Sequence, residues 1–239
     1  MLDVKESDLE SFPASVLTDR REWPRYTVSE VASYLHLPEK TLRSWVFGRT
    51  YPAAGGARFS PPLIEMADGV SKRLSFYNLV EAHILKSTRQ RDEVPMGAIR
   101  DALDYVSAVH PAAHPLIVKE FYTEGRFLFE NMLEKLVNSS KYGQLAFGPL
   151  MLSYLERIDR DSVGYPSTLY PFVPNRPESK VVVIKPEVSS GVPTVSGTGI
   201  SIPILYGRYS AGDSIPDLAD DYGLSEEQVE DAIAYLEAA

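Results

Sequence analysis

The chain has 239 residues, 44% of them hydrophobic and 24% charged, the proportions of a globular protein long enough for one large domain or two small ones. It contains no cysteine, which excludes disulfides, thiolate metal sites and thiol switches. No apolar run reaches the roughly 18 residues a membrane-crossing helix needs, and no basic start leads into an apolar stretch, so neither a span nor a signal peptide is expected and a cytoplasmic location is the default. The formal net charge of −9 argues against a nucleic-acid partner, but the charge is unevenly spread. Residues 1–19 carry −4, residues 20–110 carry +3 and residues 111–239 carry −8. The basic region therefore has to be read on its own pattern.

Residues 1–24, acidic and broken by Pro13 and Pro24, read as a flexible arm. Thr27 and Glu30 then have the spacing of a capping box, and Val28, Val31, Ala32 and Leu35 repeat on one face of a helix. His36-Leu37 reads as a turn, and Pro38 suits the first position of a second helix, where no N–H is needed. Leu42, Trp45 and Val46 form the inward face of that helix, leaving Lys40, Thr41, Arg43 and Ser44 outward. Two short helices joined by a tight turn form a helix-turn-helix, whose second helix enters the major groove. Arginine reads guanine through two parallel hydrogen bonds, while lysine and serine serve phosphates or bases. A plain helical hairpin with a solvated basic face has the same pattern. After a break at Gly48-Arg49, Leu63–Met66 and Lys72–Phe76 flank the turn signal Ala67-Asp68-Gly69 and predict a small hairpin, a wing whose Lys72 and Arg73 reach phosphates. Ser75 is placed to cap a third helix through Phe76, Leu79, Val80 and Ile84. Pro95 opens a fourth, lined by Met96, Ile99, Leu103 and Val106.

In this order, Tyr26-Thr-Val-Ser-Glu-Val-Ala, Thr41-Leu-Arg-Ser-Trp45, the wing, Leu74-Ser-Phe-Tyr-Asn-Leu and Val94-Pro-Met-Gly-Ala-Ile99-Arg resemble the MerR-type winged helix over residues 25–108. The resemblance implies DNA binding as a homodimer, with Lys40, Thr41, Arg43, Ser44 and Arg49 on or beside the reading helix and Lys72 and Arg73 on the wing. Pro111 and Pro115 stand where such proteins continue into a long coiled-coil helix. Residues 109–162 are expected as a middle α/β region that serves dimerisation. Within it Leu116–Tyr122 and Arg126–Phe129 suggest a hairpin and residues 150–158 a helix. Residues 163–180, with four prolines, read as a linker.

Val181–Ile184 reads as a short buried strand, and the glycines and prolines from Pro186 to Gly199 as successive turns. Ser214 caps a helix through Leu218, Ala219 and Tyr222 that Gly223 stops. Ser225 and Gln228 form another capping box before the stripe Val229, Ile233, Leu236. Ile184-x-Pro186, Gly191-x-Pro193 and Gly197-Thr198-Gly199-Ile200 before a helix-turn-helix resemble a small homeodomain-like module over residues 181–239, with Gly199 where an arginine is common. The module is associated with antitoxins, and both modules in one chain resemble a VapB-type antitoxin of a PIN-domain ribonuclease toxin. The expected fold is mainly α with small β elements (α+β): an N-terminal winged helix-turn-helix, a β-containing middle and a C-terminal helix-turn-helix.

Residues 212–239 hold nine acids and no lysine or arginine. Phosphate neutralisation drives DNA affinity, so this unit is expected to face protein. His110 and His114 precede prolines, which keeps them from forming a helical metal pair. No P-loop, G-x-G-x-x-G or G-x-S-x-G is present. No catalysis, metal or cofactor is therefore expected. The resemblance implies an antitoxin with duplex DNA and a ribonuclease toxin as partners. A stand-alone regulator and an interaction adaptor are the alternatives.

Overall fold

The structure, a computed structural model, describes residues 19–53, 55–88, 96–118, 121, 129, 131 and 147–238. Among these the elements run α1 (Val28–Tyr34), α2 (Glu39–Phe47), β1 (Arg49–Ala53), β2 (Gly56–Ser60), α3 (Phe76–Ser87), α4 (Met96–Val109), α5 (Phe147–Leu155), β3 (Ile158–Arg160), β4 (Pro166–Leu169), β5 (Val182–Val183), β6 (Thr194–Val195), α6 (Ile202–Ser210), α7 (Ile215–Tyr222) and α8 (Glu226–Glu237). The chain is thus α-rich with small antiparallel pairs, β1–β2, β3–β4 and β5–β6. No described helix is long and apolar enough to cross a membrane.

Local chemistry sets most helix starts. Thr27 accepts from the Glu30 amide while Glu30 reaches back to the Thr27 amide, so α1 opens on a capping box. Ser75 and Asn78 do the same for α3, and Ser225 and Gln228 for α8. Pro38 lies one residue outside α2, as its cap rather than its first residue. Its ψ of 124° is extended, and its carbonyl accepts from Thr41 at 2.8 Å to begin the helix.

Two apolar cores result. One gathers α1 to α5 with Leu169 of β4 and Ile184. The other gathers Val173, Val182, Val195 and the inner faces of α6, α7 and α8. Residues 163–180, expected as a linker, hold β4 and bury both Leu169 and Val173. Their prolines sit at the start of a strand and in turns, where a missing N–H costs nothing. Leu169 and Ile184 exchange backbone hydrogen bonds at 3.0 and 2.8 Å, so the segment stitches the cores together. Residues 19–24 also depart from the flexible-arm expectation. Arg21 pairs with Asp19 at 2.8 Å and Asp161 at 2.6 Å, and its carbonyl accepts from the Tyr77 amide. The hairpin expected over Leu116–Tyr122 and Arg126–Phe129 lies largely outside the described residues. Leu116–Val118 form a turn, and Phe121 and Phe129 are helical in backbone and packed edge to face. The helix expected over 150–158 begins earlier and ends at Leu155, where the chain turns into β3.

The second core is bonded to the first at the helix-turn-helix itself. The ring Nε2 of His36, in the turn between α1 and α2, lies 2.8 Å from the Tyr235 carbonyl of α8, and the Tyr235 hydroxyl donates to the Tyr34 carbonyl at 2.7 Å. Beside this seam the Tyr26 hydroxyl donates to the Gly191 carbonyl at 3.2 Å. Gly191 has a φ of +77°, and a Cβ there would stand 2.0 Å from the Tyr26 oxygen, so both conformation and space require glycine.

Candidate nucleic-acid interface

The helix α2 buries Leu42, Trp45 and Val46 to 2% exposure or less, and a helix that fixes one face this firmly fixes the opposite one too. Lys40 and Arg43 are exposed on that opposite face, and Thr41 and Ser44 are half-buried. Arg43 lies along its own helix, 3.4 Å from Glu39 and over the Phe47 ring at 5.0 Å. Arg43 and Glu39 are both about half exposed, so the pair is weak and open to exchange for another anion. The Ser44 hydroxyl donates to the Thr41 carbonyl at 2.7 Å, which leaves its oxygen to accept.

These side chains line a concavity of about 720 Å³. Lys40, Thr41, Arg43 and Ser44 form one wall, and Arg49, Thr50 and Lys72 close it from the other side, with Met96 at its edge. Six of the seven residues expected to touch DNA thus share one surface. Arg73 is turned elsewhere: it donates to the Arg25 carbonyl at 2.7 Å, and its backbone pairs with Asp68.

The wing is not where the sequence put it. Around Ala67-Asp68-Gly69 the structure has a turn, held by Asp68 accepting from the Val70 and Ser71 amides, with a single bridge to Arg73. Leu63–Met66 form no strand; Leu63 and Ile64 instead donate to the Trp45 carbonyl at 2.7 and 3.1 Å. The hairpin is β1–β2, ten residues earlier in the chain, with Gly55-Gly56 at its turn. Arg49 pairs with Ser60 and Tyr51 with Arg58, so the strand alternation puts Arg49, Tyr51 and Arg58 on one face of the ribbon. Arg58 is exposed and was not picked out from the sequence. The Gly-Gly dipeptide between short runs holding Tyr51 and Phe59 was the available signal.

The histidines serve the fold. His83 is fully buried; desolvation pulls it down to about 3 despite its 3.0 Å bond to the Tyr154 carbonyl. Desolvation also lowers His36, against the bond to Tyr235. Burial opposes charge on His114 as well, but its 3.1 Å bond to Glu81 prevails and raises it. Lys86, buried and donating to the Leu35 carbonyl at 2.6 Å, is lowered by desolvation to about 8. Among the described residues no group of three or more His, Cys, Asp or Glu is arranged to hold a metal.

The C-terminal helices present the opposite electrostatics. Arg208, the one cation after Lys185 in the sequence, is clasped by Asp213 at 2.5 Å and Asp221 at 2.7 Å. Asp231 is buried against Arg176 and Ser179. Asp217, Asp220, Glu226, Glu227 and Glu237 remain exposed. Ile204 of α6 is 57% exposed and shares a helix face with Arg208.

Comparison with known proteins divides the chain along similar lines. Residues 24–103 match the family described as "Putative DNA-binding HTH domain", and residues 182–236 match the family described as "Protein of unknown function (DUF433)". Over 236 residues the chain is 29% identical to a Mycobacterium tuberculosis protein named "Putative antitoxin VapB45", covering 92% of this chain and 96% of that one. It is equally similar, 29% over 217 residues, to the Mycobacterium tuberculosis protein Rv2308, covering 88% and 89% of the two chains. The crystal structure of Rv2018 from the same organism superposes with a TM-score of 0.65 at 25% identity, over 89% of this chain and 98% of that one.

Proposed function

We propose that the chain is an antitoxin that binds duplex DNA through its N-terminal concavity and a ribonuclease toxin of the PIN class through its C-terminal module, repressing its own operon as a homodimer. The observation that carries the DNA-binding half is the convergence of Lys40, Arg43, Arg49 and Lys72 on one concave surface beside the exposed face of α2. Duplex DNA is a polyanion whose affinity for protein comes from displaced counterions, and clustered cations on a net-acidic chain are what such a partner requires. In this reading α2 lies in the major groove with Lys40 and Arg43 at base edges, and Thr41 and Ser44 take phosphates. The β1–β2 hairpin acts as the wing, adding Arg49 and Arg58. Lys72 enters from the turn that precedes α3. Arg73, bonded to the Arg25 carbonyl, holds that turn in place.

The toxin-binding half rests on the full-length similarity to the antitoxin-named relative and on the acidic surface of α7 and α8. That surface repels phosphate and suits a basic protein, and the exposed Ile204 supplies apolar ground beside it. The test is a pull-down of the tagged full chain from its native host, run beside binding to a labelled duplex from upstream of its own gene. Recovery of a small PIN-type ribonuclease in near-equal amount, together with saturable duplex binding, is the expected result. Duplex binding without such a partner leaves a stand-alone regulator. Absence of duplex binding contradicts the interface.

A further inference from the structure

The hairpin β1–β2 is exposed on both faces, from Arg49 to Phe59, so no core packing sets its direction. A ribbon held only by its two chain ends pivots about them, and an isolated hairpin is marginally stable in water. Its aim is decided at its base. There Gly48, with a φ of +71°, lets the chain leave α2 with the Ser60 carbonyl so close that a Cβ would stand 2.4 Å from it. On the far side stands Arg100 of α4. Its guanidinium donates to the Ser60 hydroxyl at 3.1 Å, to the Pro61 carbonyl, and to the Pro62 carbonyl at 3.2 Å. Three consecutive residues at the end of β2 are thus gripped by one planar fork.

Two features make this a clasp rather than an incidental contact. The segment Ser60-Pro61-Pro62 offers acceptors and, at the prolines, no N–H, so only a donor side chain can satisfy it from this direction. Among the described residues no carboxylate pairs with Arg100, so its donors go to the hairpin base. Met96, one turn earlier on the same face of α4, borders the concavity that Lys40, Arg43 and Arg49 line. The clasp and the reading helix therefore belong to one surface.

We propose that Arg100 is a positioning residue that aims the β1–β2 hairpin, and with it Arg49 and Arg58, at the duplex gripped by α2; this rests on the DNA-binding reading above. Arg100 acts through the hairpin. Losing it frees the two hairpin arginines from the phosphates they reach, without removing either.

The cysteine-free chain allows a clean test. Spin labels at A57C on the hairpin and S29C on α1 report the hairpin's direction in the free protein, and fluorescence anisotropy with a duplex from upstream of the chain's own gene reports binding. Arg100→Ala is expected to broaden the label distance and to lower the salt slope by about 2, as much as R49A/R58A together. Added to R49A/R58A, it costs no further affinity. Arg100→Lys keeps the charge and the stem, so the fold is retained, but it lacks the planar fork; it broadens the distance as well. A narrow, unchanged distance in R100K with binding like the unaltered chain overturns the proposal. So does a cost of R100A that adds in full to R49A/R58A, which would make Arg100 a phosphate contact of its own. If the unaltered chain binds no duplex, the functional reading falls and the aiming role with it. The label distances then still tell that failure apart from a failure of the clasp.

Discussion

The protein contains two helix-turn-helix units built by the same local rules and dressed in opposite charge. Both open their helices on side-chain caps, and both bury a stripe of large apolar residues, with Leu42, Trp45 and Val46 in α2 and Val229, Ile233 and Tyr235 in α8. They differ in what the outward face carries. Around α2 four cations meet in one concavity, whereas α7 and α8 carry only acids, with the neighbouring Arg208 spent on two of them. Folding requirements fix the inward faces and leave the outward faces free, so the partner is written in the surface and not in the motif. The units are also physically joined. Tyr235 of α8 bonds both the turn and the last residue of α1, so whatever docks on the acidic module presses on the element that orients α2. Linkage makes any such influence reciprocal.

The comparison is most easily broken by disturbing the buried face of α2. Trp45 is completely buried, and Trp45→Ala is expected to cost about 3–5 kcal/mol through the cavity it leaves. Thermal unfolding measures this, and a loss below about 1 kcal/mol would mean that the reading helix is not anchored as described.

The seam comes next. Gly191→Ala forces a side chain into a left-handed backbone and against the Tyr26 hydroxyl, for a loss of about 2 kcal/mol. If the units are one cooperative body, urea unfolding stays a single transition that shifts as a whole. Two transitions, with only one displaced, would separate the units after all.

Acidity distinguishes the units as well, because all four histidines precede residue 115. His83 is held down to about 3 in the folded state against an ordinary 6.5, so between those values the unfolded chain binds the extra proton. Its contribution is complete above pH 6.5 and is lost as pH falls toward 3. His36, also lowered, adds in the same direction. His114, raised by Glu81, works the other way: its contribution is complete below pH 6.5 and is lost as pH rises through its folded value. The expected net outcome is stability falling by up to about 1.4 kcal/mol per pH unit for each proton taken up on unfolding below pH 6. His83→Gln flattens that slope in denaturation curves measured from pH 7 to 4. An unchanged slope would count against burial of a neutral ring.

The smallest effect concerns the acids themselves. Glu226 and Glu227 lie in the first turn of α8, where carboxylates favour the helix. Glu226→Gln with Glu227→Gln is expected to lower stability by about 0.3–1 kcal/mol per site in a urea titration at low salt. A gain would mean that mutual repulsion among the acids outweighs the helix dipole.

What was legible in the sequence was local. The capping boxes at Thr27, Ser75 and Ser225 need only residues three apart, and the apolar stripes need only a period. The reading face of α2 followed at once, because it is what the stripe leaves over. The wing was misplaced because two turn signals compete in one stretch. Asp68-Gly69 makes a turn whose flanks pair at a single bridge, while Gly55-Gly56 makes the hairpin despite Pro52 within its strand; Pro52 is tolerated because the ribbon has no further neighbour. The helix α6 was missed because Ile202–Ser210 alternates apolar and small residues around Gly207 without a clear stripe, and its stability comes from packing Ile202 and Leu205 into the second core. The roles of Arg73 and Arg100 depend on carbonyl partners 48 and about 40 positions away. No spacing rule reaches that far.

The central claim is that the basic unit reads DNA and the acidic unit does not, and salt-dependent duplex binding tests it most directly. The full chain, a Lys40→Ala/Arg43→Ala variant and an Asp217→Asn/Asp220→Asn/Glu237→Gln variant are titrated with the same labelled duplex from 50 to 200 mM salt, a range over which about six to ten phosphate contacts cost three to five decades of affinity. The account predicts that the first variant lowers the slope by about 2 and that the second leaves it unchanged or binds slightly tighter. A first variant that binds like the unaltered chain, or a second that loses binding, would contradict it.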